Sequence, residues 1–310
     1  MEKDTKIYVA GHRGMVGSAV WRALEASGYT HLIGRSSSEL DLRDTQATHD
    51  FIAKEKPHAI VDAAARVGGI LANSRNQYEF LLENLQIQNN LIQGAHQNDV
   101  DNFIFLGSSC IYPKMAPQPL KEEYLLTGPL EPTNEGYALA KITGVRLCQA
   151  LRDQYNRNYV SLMPTNLYGP NDNFDLETSH VLPAMIRKFH EAKQNGNAPV
   201  TLWGSGTPRR EFLHVDDLAR AVVHALEHPL PDNLYNVGTG TDITIKELAG
   251  IIQKAVGHTG EIRWDTSKPD GTPRKLMDVS KMKALGWKAE IGLDEGIQQT
   301  HEWFLQSFLS

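Results

Sequence analysis

A doubly wound α/β fold, a parallel sheet followed by a smaller mixed α/β domain, is predicted by three features of this 310-residue chain. A short apolar run leads directly into a glycine turn and a helical segment at the amino end. Further strand-length apolar runs then alternate with helix-length stretches as far as Pro170. Small and polar residues gather where these runs end, at the edge where open parallel sheets hold ligands. The sheet domain is expected to span residues 1–170 plus 211–237. The second domain is expected to span 171–210 plus 238–310.

Bulk composition narrows the class. Hydrophobic residues make up 41% and charged residues 22%, as in a globular protein. The formal net charge is −6 with no basic tract, which disfavours nucleic acid as a partner. An anionic ligand must therefore meet local cations. Two cysteines, Cys110 and Cys148, argue against a disulfide framework. Met1 to Lys6 is too short and charged for a signal peptide, and no apolar segment approaches a membrane span of roughly 20 residues. A cytoplasmic location without membrane contact is expected.

Lys6 to Ala10 reads as the first strand, followed by Gly11-His12-Arg13-Gly14-Met15-Val16-Gly17 and a helix from Ser18 to Ser27. Strand, glycine turn and helix form the context of a dinucleotide fingerprint, although the spacing is G-x-x-G-x-x-G. Gly11 permits the turn, Gly14 lets backbone approach a pyrophosphate and Gly17 allows close helix packing. This is a Rossmann-type arrangement. A second strand, His31 to Gly34, ends at Arg35, where an NAD-binding fold usually carries an acidic residue. With Arg13, Arg35 favours a 2′-phosphate and hence NADP over NAD. Asp41 and Leu42 follow in a turn placed to wall the adenine. Ala59 to Ala65 reads as a buried strand. Tyr78 to Gln97 reads as a helix with Leu82, Leu85, Asn89, Ile92 and His96 on or near one stripe.

Asn102 to Leu106 is the next strand and ends in Gly107-Ser108-Ser109-Cys110. A helix opened by Pro132-Thr133-Asn134-Glu135, with Thr133 as cap, carries Tyr137 and Lys141 four residues apart on one face. An unperturbed Tyr pKa of about 10 is too high for proton transfer near neutrality, and a neighbouring ammonium can correct that. Ser108 stands where it can bond a carbonyl oxygen beside Tyr137. Ala138, Ala140 and Gly144 suit close helix contact, including contact across a homodimer. Asn158 to Met163 is a further strand, running into Pro164-Thr165-Asn166-Leu167. Beyond Pro170 the chain is richer in turns. It carries a helix with His180 at its start and Lys188 within it, then Trp203, Arg210, Asp270 and Lys275. His224 and His228 lie at i, i+4 without a third ligand, so no metal is expected.

The βα order, the glycine turn, Ser108 and the Tyr137/Lys141 helix together resemble the extended short-chain dehydrogenase/reductase family over essentially the whole chain. Residues 11–17, 107–113, 164–170, 203–206 and 268–275 are similar to segments of its GDP-L-fucose synthase branch. The resemblance implies a bifunctional enzyme. It would epimerise GDP-4-keto-6-deoxy-D-mannose at C3 and C5, then reduce C4 with NADPH to give GDP-L-fucose. It implies that Ser108 and Tyr137 bind the keto oxygen, with Tyr137 the proton donor. Lys141 would lower the Tyr137 pKa and hold the nicotinamide ribose. Cys110 and His180 would be the epimerisation acid/base pair. Lys188, Trp203, Arg210, Asp270 and Lys275 match substrate-side positions. Leu106, Gly107, Ser108, Ser109, Pro164, Thr165, Asn166, Leu167 and His180 match cofactor-side positions. Two departures stand out: Gly136 where relatives often carry Pro, and Ser37 where a second Arg can assist the 2′-phosphate.

The chemistry is consistent with this set. A 4-ketone acidifies the protons on both adjacent carbons, and inverting either centre needs two titratable groups on opposite faces of the ring. A thiol and an imidazole exchange protons near neutrality. Competing readings are a 4-epimerase, a 4,6-dehydratase and a non-catalytic NADP sensor. A dehydratase would carry an acidic pair where Cys110 and Ile111 stand. A 4-epimerase needs neither Cys110 nor His180. A sensor has little reason to keep Ser108, Tyr137 and Lys141 together.

Overall fold

Strand β1 (Ile7–Ala10) is buried along its whole length, as an apolar run at the centre of a parallel sheet must be. The computed structural model describes residues 1–268 and 270–308; Pro269, inside the charged loop noted above, lies outside them. After β1 come α1 (Met15–Ala26), β2 (Leu32–Ile33), α2 (Thr45–Glu55), β3 (Ala59–Asp62), α3 (Ile70–Arg75), α4 (Gln77–Gln97), β4 (Asn102–Leu106), α5 (Glu135–Tyr155) and β5 (Asn158–Pro164). The chain continues through β6 (Asn166–Tyr168), α6 (Val181–Gln194), β7 (Val200–Trp203), β8 (Arg209–Arg210), β9 (Phe212–His214), α7 (Val215–Glu227) and β10 (Leu234–Val237). It closes with β11 (Ile243–Thr244), α8 (Ile245–Val256), β12 (Ile262–Asp265), β13 (Arg274–Lys275), α9 (Ser280–Ala284) and α10 (Leu293–Trp303).

The main sheet has six parallel strands in the order β10-β5-β4-β3-β1-β2. Chain direction along the sheet reverses between β1 and β3, so a crevice opens there at the carboxyl ends. One face is covered by α1 and α7 through Val20, Leu24, Leu218 and Val222. The other is covered by α2, α4 and α5 through Ile52, Leu91, Val145 and Cys148. A third cluster, containing Phe174, Ile186, Phe189, Leu248 and Phe304, packs α6, α8 and α10 against β7. Smaller sheets pair β6 with β9, β7 with β12, and β8 with both β11 and β13. Among the described residues no helix is long and apolar enough to cross a membrane.

Local expectations changed in four places. The second strand shortens to Leu32–Ile33. Thr133 does not cap the Tyr137 helix: Glu131 accepts from the Thr133 backbone in a preceding 3-10 turn, and the cap position is Asn134. On α4 the buried stripe runs through Phe80, Asn84, Gln88 and Leu91, while Leu82 is exposed. Two polar residues can lie on that stripe because Asn84 bonds the Arg66 backbone and Gln88 donates to the Ala140 carbonyl at 2.6 Å. Finally, Ala138, Ala140 and Gly144 are buried within the chain itself. A Cβ on Gly144 would collide with the Phe105 ring, so these small residues let α5 approach its own sheet.

Candidate active site

The glycine turn fills the crevice. Gly11 has φ +75°, a left-handed conformation, and a Cβ there would lie 2.8 Å from the Ala63 carbonyl of the adjacent strand. A Cβ on Gly17 would collide with the Gly11 carbonyl, so the first turn of α1 lies directly on the loop. Gly14 donates to Gly11 at 2.9 Å and occupies the cap position of α1, which has no side-chain cap and no acidic residue in its first turn. The amides around Met15 and Val16 thus form a helix N-terminus suited to an anion. His12 packs its ring against Gly34 and Trp21, and its Nδ1 is buried without a partner. Burial and Arg13 both lower its pKa.

Arg13 and Arg35 flank this turn, and both favour the charged form of Glu39. Arg35 bonds the Gly34 carbonyl at 2.8 Å, reaches Glu55 at 3.4 Å and lies over the Phe51 ring. Ser36 is tied to Glu39, a carboxylate that sequence reasoning passed over. Asp41 is engaged by Arg43 at 2.8 Å, and Leu42 packs partly into the core.

At the end of β4, Ser108 starts a short 3-10 turn (Ser109–Ile111), and its Oγ accepts from the Cys110 amide at 3.4 Å. The Gly107 amide is held by the Leu162 carbonyl at 2.9 Å. Tyr137 and Lys141 project from α5 onto this strand end. Lys141 is buried, donates to the Leu106 carbonyl at 2.9 Å, and lies 5.9 Å from the Tyr137 ring centroid. The expected lowering of the Tyr137 pKa is not seen. Burial pushes the phenol above its ordinary range, and Cys110 and Asp62 push it further. The ammonium donates to the Leu106 carbonyl and makes no hydrogen bond to the phenol. Burial lowers the Lys141 pKa, opposed by Asp62 and Cys110.

Cys110 is buried, which pushes its thiol up, but Lys275, Ser108 and Lys141 pull it back. Cys148, on the inner face of α5, is also raised by burial, and there the Ser161 hydroxyl opposes the shift while Asp62 adds to it. Lys275 also feels Arg210, its register partner on the neighbouring strand, and Glu131. Lys275 as a neighbour of the thiol, itself influenced by Glu131, had no local sequence signal, because distant segments bring these residues together.

His180 sits at the N-cap of α6, but its side chain caps nothing. It is solvent-accessible yet hemmed in by protein, as a residue in a cleft is, and that crowding lowers its pKa. The Gly69 amide donates to the Thr178 carbonyl at 2.9 Å, fixing the loop before His180 against the loop before α3. Gly68 in that loop packs on Phe80, which meets Tyr137 edge-on. The loop before His180 is thus tied to the segment that packs on Phe80, and no hydrogen bond joins His180 to Cys110.

On the remaining side, Trp203 is exposed at the end of β7, with the ammonium groups of Lys188 and Lys268 at 5.9 and 5.6 Å from its ring. Exposure excludes a core role for this indole. Asp270 is used structurally, accepting from the Ser205 amide at 2.7 Å and its hydroxyl at 2.8 Å, which secures the turn after Trp203. Burial lowers the pKa of both Lys188 and Arg210. Thr165 and Asn166 donate to the Glu211 carbonyl, which joins the end of β5 to the residue between β8 and β9. A surface hollow lined by Lys56, His58, Asp99 and Asn102 lies at the opposite, amino edge of the sheet and holds none of these groups.

Residues 7–238 match the model of the NAD dependent epimerase/dehydratase family. The chain belongs to that family. It is 55% identical to a putative GDP-L-fucose synthase 2 of Arabidopsis thaliana, with 99% of this chain and 94% of the relative covered. It is 52% identical to a GDP-L-fucose synthase of Escherichia coli, with 97% of each chain covered. A solved GDP-L-fucose synthetase from Naegleria fowleri, bound to NADP, superposes with a TM-score of 0.90 at 28% identity, covering 100% of this chain and 97% of the other. Membership gives the glycine turn and the Tyr137/Lys141 pair a common context.

Proposed function

We propose that this chain epimerises GDP-4-keto-6-deoxy-D-mannose at C3 and C5 and reduces the product at C4 with NADPH, giving GDP-L-fucose. The observation that carries this reading is the setting of Cys110. Its thiol lies beside Ser108, with Lys275 and Lys141 favouring the thiolate, at the strand end that Tyr137 overhangs. Hydride transfer alone has no use for a thiol so placed.

The residues present suit NADP(H). The Gly11–Gly17 turn leaves room for backbone to meet a pyrophosphate, the first turn of α1 offers uncapped amides, and Arg13 and Arg35 supply positive charge beyond β2. Leu106 to Ser109, Pro164 to Leu167 and Lys141 would hold the nicotinamide half. When bound, NADPH supplies the hydride that C4 receives. Ser108 and Tyr137 polarise the C4 oxygen in both reactions, stabilising the enolate during epimerisation and protonating the alkoxide during reduction. Cys110 and His180 exchange protons with C3 and C5 from different walls. Lys188, Trp203, Arg210 and Lys275 meet the nucleotide diphosphate sugar, and Asp270 shapes the turn that presents Trp203.

The division into a cofactor part (1–170 plus 211–237) and a sugar-nucleotide part (171–210 plus 238–310) belongs to this proposal. So do a homodimer and a cytoplasmic location. Exposed Tyr78 and Leu82 on α4 and Leu139 on α5 support self-association. The test is NADPH consumption with GDP-4-keto-6-deoxy-D-mannose. Stoichiometric oxidation is expected, and a cofactor retained and recycled without net consumption would contradict the reading.

A further inference from the structure

Asp62 ends β3, and its register partners are Ala10 on β1 and Phe105 on β4. Register partners in a parallel sheet present side chains on the same face. The carboxylate therefore enters the layer between the sheet and α5, where Ala10 and Phe105 pack. It is fully buried. One oxygen accepts from the Ala64 amide at 3.2 Å, and the other has no partner. Lys141 reaches into the same layer, its ammonium 4.8 Å from the Phe105 ring centroid. A half-satisfied buried carboxylate is costly, and an apolar side chain would suit this layer better.

We propose that Asp62 is a positioning residue for the reduction: its carboxylate is the fixed counter-charge that holds the Lys141 ammonium in place beside Tyr137. The inference rests on the reading of Tyr137 and Lys141 given above. The other titratable groups facing the pair are Tyr8 from β1, Cys110 from the turn after β4, and Tyr137 and Cys148 from α5. Burial pushes all four upward, toward their uncharged forms, so the carboxylate's charge is answered by Lys141. Burial also raises Asp62 itself to about 6, which leaves it ionised at neutral pH. Asp62 and Lys141 do not touch; each favours the other's charged form through space.

The test compares single-turnover NADPH oxidation by the wild type, Asp62→Asn and Asp62→Leu across pH, with an NADP titration to check folding. Without the counter-charge the ammonium loses its proton more easily. The ratio of wild-type to variant rate should therefore grow about tenfold between pH 6.5 and pH 9. A ratio constant with pH overturns the proposal, as does failure of both variants to fold, since Asp62 would then be structural. Thermal unfolding gives a readout independent of activity. An acid whose folded pKa lies above its unfolded value adds stability at low pH and loses it as pH rises through the folded value. The wild type should therefore gain on Asp62→Asn as pH falls through about 6, and the gain should begin at higher pH in a Lys141→Met background, where the carboxylate has lost its counter-charge; the same onset in both backgrounds would count against the assignment. Tyr137→Phe and Lys141→Met serve as controls. If they retain hydride transfer, the reading of the site fails. If they lose it while the Asp62 ratio stays flat, only this inference fails.

Discussion

Lys141 donates a 2.9 Å hydrogen bond to the Leu106 carbonyl, tying the ammonium of α5 to the last residue of β4. That bond holds the helix bearing Tyr137 over the strand end bearing Ser108 and Cys110. Tyr137, Ser108 and Cys110 are thereby kept in one register.

Tyr137→Phe removes the hydroxyl proposed as the proton donor while keeping the ring that meets Phe80. The hydride step should fall by roughly 10²–10⁴-fold, the range for general acid catalysis. Stopped-flow NADPH oxidation reads it directly, and near-normal turnover would exclude the assigned role.

Cys110→Ser keeps the size but replaces the thiol with a far weaker acid. Solvent deuterium incorporation at C3 and C5 should drop by about 10²-fold or more, with C4 reduction much less affected. Unchanged incorporation would remove Cys110 from the epimerisation.

Lys275 is the leading influence favouring the Cys110 thiolate. Removing a nearby cation raises a thiol's pKa, so Lys275→Met should move the rise of exchange activity with pH to higher pH. At pH 7 the loss should be roughly tenfold, recovering in alkaline buffer. A uniform loss at every pH would point to substrate binding alone.

Much of this was legible beforehand, for identifiable reasons. The strand ends carrying Gly11, Ser108 and Thr165 follow from local pattern, because apolar runs and glycine turns are short-range signals. Tyr137 and Lys141 share a helix face, so their spacing suffices. What stayed hidden depends on long-range packing. Lys275 approaches Cys110 only because β13 pairs with β8. Asp62 reads as one residue inside a buried strand, Ala59 to Ala65, until the sheet register sets it beside Phe105 in the layer that Lys141 enters. The small residues of α5 suggested another subunit because sequence alone does not say which surface a close-packing face meets.

Glu211 ties three segments together. Its buried carboxylate accepts from the Gly240 amide at 2.7 Å, the Met277 amide at 2.8 Å and the Thr239 hydroxyl at 3.3 Å. Glu211→Ala would leave buried donors unpaired, at a cost of roughly 2–4 kcal/mol. Chemical denaturation should show that loss, and the Gln variant should retain more stability than Ala. Equal stability of Ala and wild type would contradict the clamp.

Arg35→Ala should weaken NADPH binding by about tenfold, the value of one charge-assisted contact, and leave NADH nearly unaffected. Fluorescence titration with both cofactors measures it. Equal losses for the two would mean that Arg35 serves the fold through Glu55 and Phe51 instead.

The most direct measurement is NMR analysis of the product formed from GDP-4-keto-6-deoxy-D-mannose and NADPH in deuterated water. GDP-L-fucose carrying solvent deuterium at C3 and C5 and unlabelled cofactor hydrogen at C4 is the expected result. A C4-reduced sugar that keeps its original configuration and protium at C3 and C5 would contradict the account.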